Sequence, residues 1–483
     1  MKNRGYITVF VALVLVVSLV LVTAVIKITD QGYARTKVTS AVSSAMSGEL
    51  AKYNRYIFDR YHILLVDKNY DESGEDSIQK GIKESLEYDL GEDFEVGEIK
   101  LSGDVGIIDD DCFEFQKQLG EIFKYDIAEY SVDKIMDKTN GNDEPVNDST
   151  VSSIDGDIAA TQGEISNSEN TEGEDSGDAE PESETGSEEE EVEDPRETLK
   201  KFTDAGIAAL IMPPDVKVSS YTVSSSDLPS SGMSSFFSSD VDTDFKDKDT
   251  LETDSMKGNG WGTNLLGEAK SIMYASKYFN CLTDKKYDDT ELNFEMEYLI
   301  AGNKSDGENY KKVVDEILLI RFGFNFAYIL TDTVKMAECD SIALALTAEF
   351  PPLQPVVKYL LAGCWAYIES VADVYRLLRN HKVPYMKNQT TWLTDFESLA
   401  KLDQLTGPAG DDETGLDYKE YLMILMALQG KKINYRMLDL IEINTNKNDS
   451  KNFKMKNAIT AFGIDAEITY KGKEFPVHEE AGY

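Results

Sequence analysis

The groups that could make or break bonds are few. Three histidines, His62, His381 and His478, and four cysteines, Cys112, Cys281, Cys339 and Cys364, are scattered along the chain. No histidine stands at ligand spacing from another histidine or a cysteine, and neither HExxH nor CxxC occurs. GxSxG, a Walker A loop and GxGxxG are absent too. His62 opens the apolar stretch "HILLVD" and reads as structural, while His381 sits in a turn with Lys382 and Pro384. Cys339 and Cys364 lie in apolar helical surroundings and read as small buried hydrophobes. A disulfide pairing cannot be assigned from these spacings.

Carboxylates offer more, but not much more. "DKNYDESGED" brings Asp67, Asp71 and Glu75 together without the glycine and terminal glutamate spacing of a calcium loop. Glu295 and Glu297 would share a face on a strand, where paired carboxyls could serve acid–base work. Many exposed strands carry such pairs. Glu369, Asp373 and Arg376 fall at helical spacing, with Arg321 and Asn325 together on another helix face. That pattern predicts a structural ion-pair cluster. No catalytic, cofactor or metal site is assigned, and the expectation is a protein that is not an enzyme. An exported hydrolase would require histidines or carboxylates converging in a cleft.

Charge narrows the partners. Over 483 residues the formal net charge is −41, so nucleic acid is excluded as a natural ligand, since its phosphates would be repelled. About half of that charge is local: Thr139–Pro195 holds twenty Asp and Glu and no Lys or Arg. Such a segment cannot bury enough apolar surface to offset the entropy of ordering, and it reads as a disordered acidic linker. The 25 tyrosines and 20 phenylalanines are spread along helical faces, which favours core packing over a base-stacking platform.

The elements that must carry this chain begin with "MKNRGYITVFVALVLVVSLVLVTAVIKITD". An uncharged run from Tyr6 to Ile26 follows Lys2 and Arg4 and stops at Lys27. About twenty apolar residues suffice to cross a bilayer as one helix. The basic flank puts the short end in the cytoplasm and the bulk outside. Three fates compete: a secretory signal cut after Ala24, an uncleaved anchor, and a leader cut between Gly5 and Tyr6. The run exceeds the usual signal-peptide core, which favours a retained helix. Apolar residues then recur at Ala34, Val38, Ala41, Ala45, Leu50 and Ile57, so the helix should continue outward as a stalk.

Farther on, the spacing predicts strands at His62–Asp67, Asp93–Leu101, Asn293–Asn303 and Asn457–Gly472. Helices are predicted at Ser77–Tyr88, Phe113–Lys138, Asn264–Phe279, Gly307–Asp332, Val356–Asn380, and as a pair around Gly430 within Asp417–Asn446. Asp340 should cap a helix ending at Pro351–Pro352. Ser219–Asp240 reads as loop.

"RGYITVFVALVL" resembles the leader of TadE/TadG-type pseudopilins: a basic residue, Gly, then a short step into an aromatic-containing Val/Ala/Leu run. Type IV prepilins carry Glu at the fifth position after the cleaved Gly, where this chain has Phe10. A wider resemblance rests on "SSAMSGELAKYNRYIFDRYHILLVD", "EMEYLIAGNKSDGENY", "CWAYIESVADVYRLLRNHKVPYMK" and "YKEYLMILMALQGKKINYRMLDLIEINT". These blocks resemble an uncharacterised (domain of unknown function) family of exported, membrane-anchored proteins of Gram-positive anaerobes, associated with Tad/Flp pilus loci. The resemblance implies a context and no catalytic residues.

The resulting expectation is an α+β protein in four parts: leader and transmembrane helix at 1–29, stalk helix and a first α+β part at 30–138, the acidic linker at 139–196, and an α-rich domain with strands at 197–483. It would be a single-pass, extracytoplasmic component of a pilus or secretion assembly, touching the membrane and pilin-like or secretion-system proteins. The competing expectation is a stand-alone surface-anchored binding or adhesion module.

Overall fold

The computed structural model describes residues 4–69, 75–123, 206–224, 226–231, 262–395 and 415–483. The acidic linker and most of the "DKNYDESGED" stretch lie outside them, as do residues 124–138 of the helix predicted at Phe113–Lys138. In chain order the elements are α1 (Arg4–Leu50), α2 (Arg55–Tyr61), β1 (Val66–Asp67), α3 (Glu75–Leu90), β2 (Phe94–Gly106), α4 (Asp109–Ile122), α5 (Ile207–Ile211), α6 (Gly262–Tyr278), α7 (Glu295–Ala301), α8 (Asp306–Thr331), α9 (Thr333–Leu346), α10 (Gln354–Leu377), α11 (Tyr418–Ala427), α12 (Lys432–Asn448), β3 (Ala458–Tyr470) and β4 (Lys473–Gly482). The class is α+β, as the patterning predicts.

Among the described residues, two compact units form: unit 1 from 4–123, 226–231 and 434–483, and unit 2 from 206–224, 262–395 and 415–433. The expected domain 197–483 therefore does not run to the C terminus as one body. Its last fifty residues return to unit 1, because β3 supplies the strand that β1 and β2 need as a partner.

Unit 1 is built around β3. β2 pairs antiparallel along one side of it, from Phe94 opposite Tyr470 to Gly106 opposite Ile459. β4 lies along the other side, from Tyr470 opposite Lys473 to Ala461 opposite Gly482, and the two residues of β1 complete that side. The expected strand at His62–Asp67 shrinks to β1. The reason is local: Asn54 caps α2 by accepting from the N–H of Ile57, and His62 ends that helix at φ 57° with its N–H on Phe58 O.

One face of the sheet is covered by the second half of α1 and by α3. Ala34, Val38, Ala41, Val42, Ala45 and Met46 meet Ile78, Ile82 and Leu86 over Ile464, Ala466 and Ile468. Each fully buried Val, Leu, Ile or Met side chain among them stabilises the unit by about 1.5–3 kcal/mol of transfer free energy. The predicted stalk is thus a packed spine. Its small residues divide: Ala41 and Ala45 face the core, while Ser44 and Gly48 are exposed.

Unit 2 is helical. α8 starts where Ser305 accepts from the N–H of Glu308, and α11 starts with a full capping box between Asp417 and Glu420. Two sequence expectations fail here. Within the stretch expected as a strand at Asn293–Asn303, Glu295–Ala301 form α7, ended by Gly302 at φ 66°. The cap of α9 is Asp332, whose carboxylate accepts from Val334 and Lys335, and Asp340 lies inside the helix. α8 and α10 pack together, with Ile329, Cys339, Ala362, Trp365 and Trp392 forming an apolar cluster at the base of the α9–α10 hairpin.

Candidate functional site

Gly5, Tyr6 and Ile26 all lie on α1, with the Gly5–Tyr6 bond in its first turns. From Val9 to Ile28 its large apolar side chains are left uncovered by the described residues. Every large apolar residue from Val9 to Ile28 is exposed, the least of them, Val14, at 45%. Only at Ala34 does burial begin. Among the described residues this is the one helix long and apolar enough to cross a membrane, and its length and composition fit a single membrane span or a signal sequence. An exposed apolar surface of this extent in water is untenable, so the segment demands another medium or another surface.

The second concentration of chemistry is buried in unit 2, where the expected ion-pair cluster forms with altered membership. Arg321 on α8 donates from Nε and Nη2 to Asp373 Oδ2 on α10, at 3.0 and 2.8 Å. Asn325, one turn along, donates to the same oxygen at 2.9 Å. Lys387 reaches Asp373 Oδ1 at 2.7 Å and also pairs with Glu369. Glu369 in turn accepts from the backbone N–H groups of Leu393 and Thr394. Arg321 Nη1 finishes on the carbonyls of Pro384 and Tyr385 and on Tyr421 Oη. All four charged side chains are fully buried. Arg376 does not join: its Nη2 lies 3.5 Å from Lys382 O.

Burial works against an ionised Asp373, yet Arg321, Lys387 and Asn325 together hold its carboxyl below the usual range. Two cations face two carboxylates and the charges cancel. The arrangement pins α8, α10 and the 384–394 loop to one another, and nothing in it is presented to a substrate. Lys387 is the member the sequence does not announce. It stands in a loop, and only the chain's return past α10 brings it between Glu369 and Asp373.

Glu295 and Glu297 are on one helix and not on one exposed strand face, and both are fully buried. Glu295 accepts from Asn280 N. Glu297 Oε1 accepts from Leu282 N and Tyr418 Oη, both at 3.0 Å, while its Oε2 is unpartnered. Burial pushes the Glu297 carboxyl up to about 7, against the pull of those hydrogen bonds. Asp306 is raised by burial as well, and accepts from the N–H groups of Asn293, Ser219 and Phe294. These carboxyls substitute for missing backbone partners in a tightly turned segment. That use explains why they are buried and why the segment is helical.

The remaining sequence candidates stay apart. His381 is exposed beyond α10, and His478 on β4 pairs at 2.8 Å with Asp465 across the open face of the sheet. A depression of about 390 Å³ beside it is lined by Ser102, Gly463, Glu480 and Gly482. All four cysteines are free thiols: Cys112, Cys281 and Cys339 are buried, as expected for Cys339, whereas Cys364 is exposed on α10, against the expectation. Among the described residues no three metal-binding side chains converge.

Residues 185–470, more than half of the chain, match the model of a family described as a family of unknown function, DUF5702. No curated protein and no solved structure matches the chain.

Proposed function

The chain belongs to the DUF5702 family, and from that premise we propose that it is a non-enzymatic, single-span membrane protein acting by protein–protein contact in a Tad/Flp-type pilus or secretion assembly. The span is Tyr6–Ile26, the N terminus is cytoplasmic and the two units lie outside. Its partners in this reading are pilin-like helices and other components of the assembly, and its setting is the envelope of a Gram-positive anaerobe.

The observation that carries the reading is α1. One continuous helix has an apolar half that none of the described residues covers and a second half that is the spine of an antiparallel sheet unit. A helix so divided can pack side by side with others of its kind in a membrane while holding a folded unit at its end. Lys2 and Arg4 before the run support the cytoplasmic N terminus.

N-terminal sequencing of the membrane-extracted protein tests it. A start at Tyr6, with pilin-like proteins co-purifying, is the expected result. A start at Val25 removes the anchor and overturns the reading. An intact N terminus with no pilin-like partner favours the alternative, a stand-alone surface-anchored binding or adhesion module, for which the uncovered sheet face around His478 is the available surface.

A further inference from the structure

In unit 2, α8 and α10 turn one apolar side outward together. On α8 the inward side carries Ile317, Arg321, Asn325 and Ile329, and the opposite side brings Leu319 and Gly323 to the surface. On α10 the outward residues Leu360, Cys364 and Tyr367 recur at steps of four and three, hence on one side of the helix. The two sides meet along a seam. The Phe322 ring is edge-on to Tyr367 at 6.3 Å between centroids, and a Cβ added at Gly363 would stand 3.9 Å from the Phe326 ring. One apolar face therefore crosses both helices. Leu319 is 70% exposed and Leu360 64%, and none of the described residues covers them. On the inner side Arg321 and Asp373 bridge α8 to α10, which holds the two halves of the face in register.

We propose that this face joins unit 2 to unit 2 of a second copy of the chain across a two-fold axis. The charges favour that occupant. From Leu319 to Leu330 and from Val356 to Tyr367 only Arg321 and Lys358 are charged; Arg321 is buried, and Lys358 turns aside to Asp340 of α9. Charge returns at the rim with Lys312, Asp315 and Glu316. Two copies that each carry −41 repel over most of their surfaces, and here they can meet without bringing like charges together. A basic partner would find nothing on this face to pair with. The relief also fits a copy of itself. A two-fold contact brings one patch against the same patch, so the patch must hold both projections and recesses. Leu319 and Leu360 project, and about one turn along each helix Gly323 and Gly363 are the recesses; a Cβ added at Gly323 would meet nothing within 4 Å. The size is sufficient. Eleven residues rise about 16 Å, and two packed helices are about 20 Å wide, which gives an apolar centre of about 300 Å² in plan. With a polar rim around it, such a centre suits an interface that buries about 800 Å² per partner.

This contact lies wholly within unit 2 and does not depend on the anchor reading. Cys364 stands in the face, and of the four thiols it is the exposed one, so it serves as the probe without any substitution. The full chain, extracted in detergent, is treated with a flexible bis-maleimide, and the covalent dimer is measured. Much of the chain should be trapped as dimer, and Leu319→Asp with Leu360→Asp should lower that yield several-fold. Both leucines are exposed, so the doubly substituted chain should keep the circular dichroism of the parent, and its Cys364 should still take a monofunctional maleimide. A yield that the aspartates leave unchanged means that the copies meet elsewhere, and overturns the contact. A parent chain that gives no dimer while its Cys364 reacts freely with the monofunctional reagent overturns it too. So does a Cys364 that this reagent cannot reach in the folded parent, because the chain then covers the face itself.

Discussion

The outer half of α1 and the buried charge network of unit 2 invert the usual rule of burial in opposite directions. The first holds valines and leucines and exposes them all. The second holds two cations and two carboxylates and hides them all. The network needs nothing further, because every charge faces an opposite charge and the hydrogen bonds converge on it. α1 is incomplete by itself. A perturbed, buried ionic cluster is a common pointer to function, but here the pointer is the simpler feature, an apolar surface that none of the described residues covers.

The contrast can be broken first at α1. Leu15→Lys with Leu19→Lys puts two charges near the middle of the run, at a cost of about 2.5–3.5 kcal/mol each in bilayer insertion. The doubly substituted protein should leave the carbonate-resistant membrane fraction while unit 1, whose core begins at Ala34, keeps its fold by circular dichroism. Retention in the membrane would mean that something other than this helix holds the chain there.

The network should break almost as sharply and in the other sense. Asp373→Ala leaves Arg321 and Lys387 buried with half their partners gone, and removal of one member of a buried pair typically costs about 3–5 kcal/mol. The denaturant midpoint of unit 2 should fall accordingly, with membrane association unchanged. An unshifted midpoint would mean that water reaches the site.

Glu297 sharpens the comparison, since it is a buried acid without a cation. Its folded-state carboxyl titrates at about 7 and an unfolded one near 4.5. The folded state thus holds the proton more tightly, so this contribution is complete below about pH 4.5 and is lost as pH rises to 7. At 1.36 kcal/mol per pKa unit the loss is about 3 kcal/mol. Glu297→Gln keeps an acceptor for Leu282 N and Tyr418 Oη and should flatten the fall in stability between pH 5 and 8 relative to the parent chain. Parallel pH profiles for the two proteins would place the titration elsewhere.

These sites also show where sequence reading reaches and where it stops. α1 is legible because its pattern is continuous and local. So are β2 and β3, with period-two alternation over one buried face, and so is the ion-pair cluster as far as Arg321, Asn325, Glu369 and Asp373. α7 is misread because Glu295 and Glu297 look like outward positions of a strand, when both turn inward to satisfy backbone N–H groups of a neighbouring loop. The return of β3 and β4 to unit 1 is a long-range pairing that no window of sequence contains. Lys387 belongs with them: a solitary lysine in a loop has no period to reveal its partners.

The smallest expected effect concerns which aspartate starts α9. By position alone Asp340 is the natural cap, since it stands ahead of "SIALAL" and the Pro351–Pro352 stop. In the fold Asp340 is mid-helix, accepting from Gln354 Nε2 at 3.1 Å with Lys358 at 3.9 Å, both partly exposed. Asp332 instead accepts from two otherwise orphaned N–H groups, of Val334 and Lys335, and takes the Tyr328 hydroxyl at 2.9 Å. Asp332→Ala should therefore cost about 1 kcal/mol, the usual worth of an N-cap. Asp340→Ala should stay within about 0.5 kcal/mol, as surface substitutions do. Equal losses from the two would return the start of the helix to Asp340. The order expected here has a simple cause: a carboxylate that satisfies backbone groups is worth more than one that meets a solvated ammonium, which is the same reason Glu369, held by the N–H groups of Leu393 and Thr394, can be hidden in unit 2.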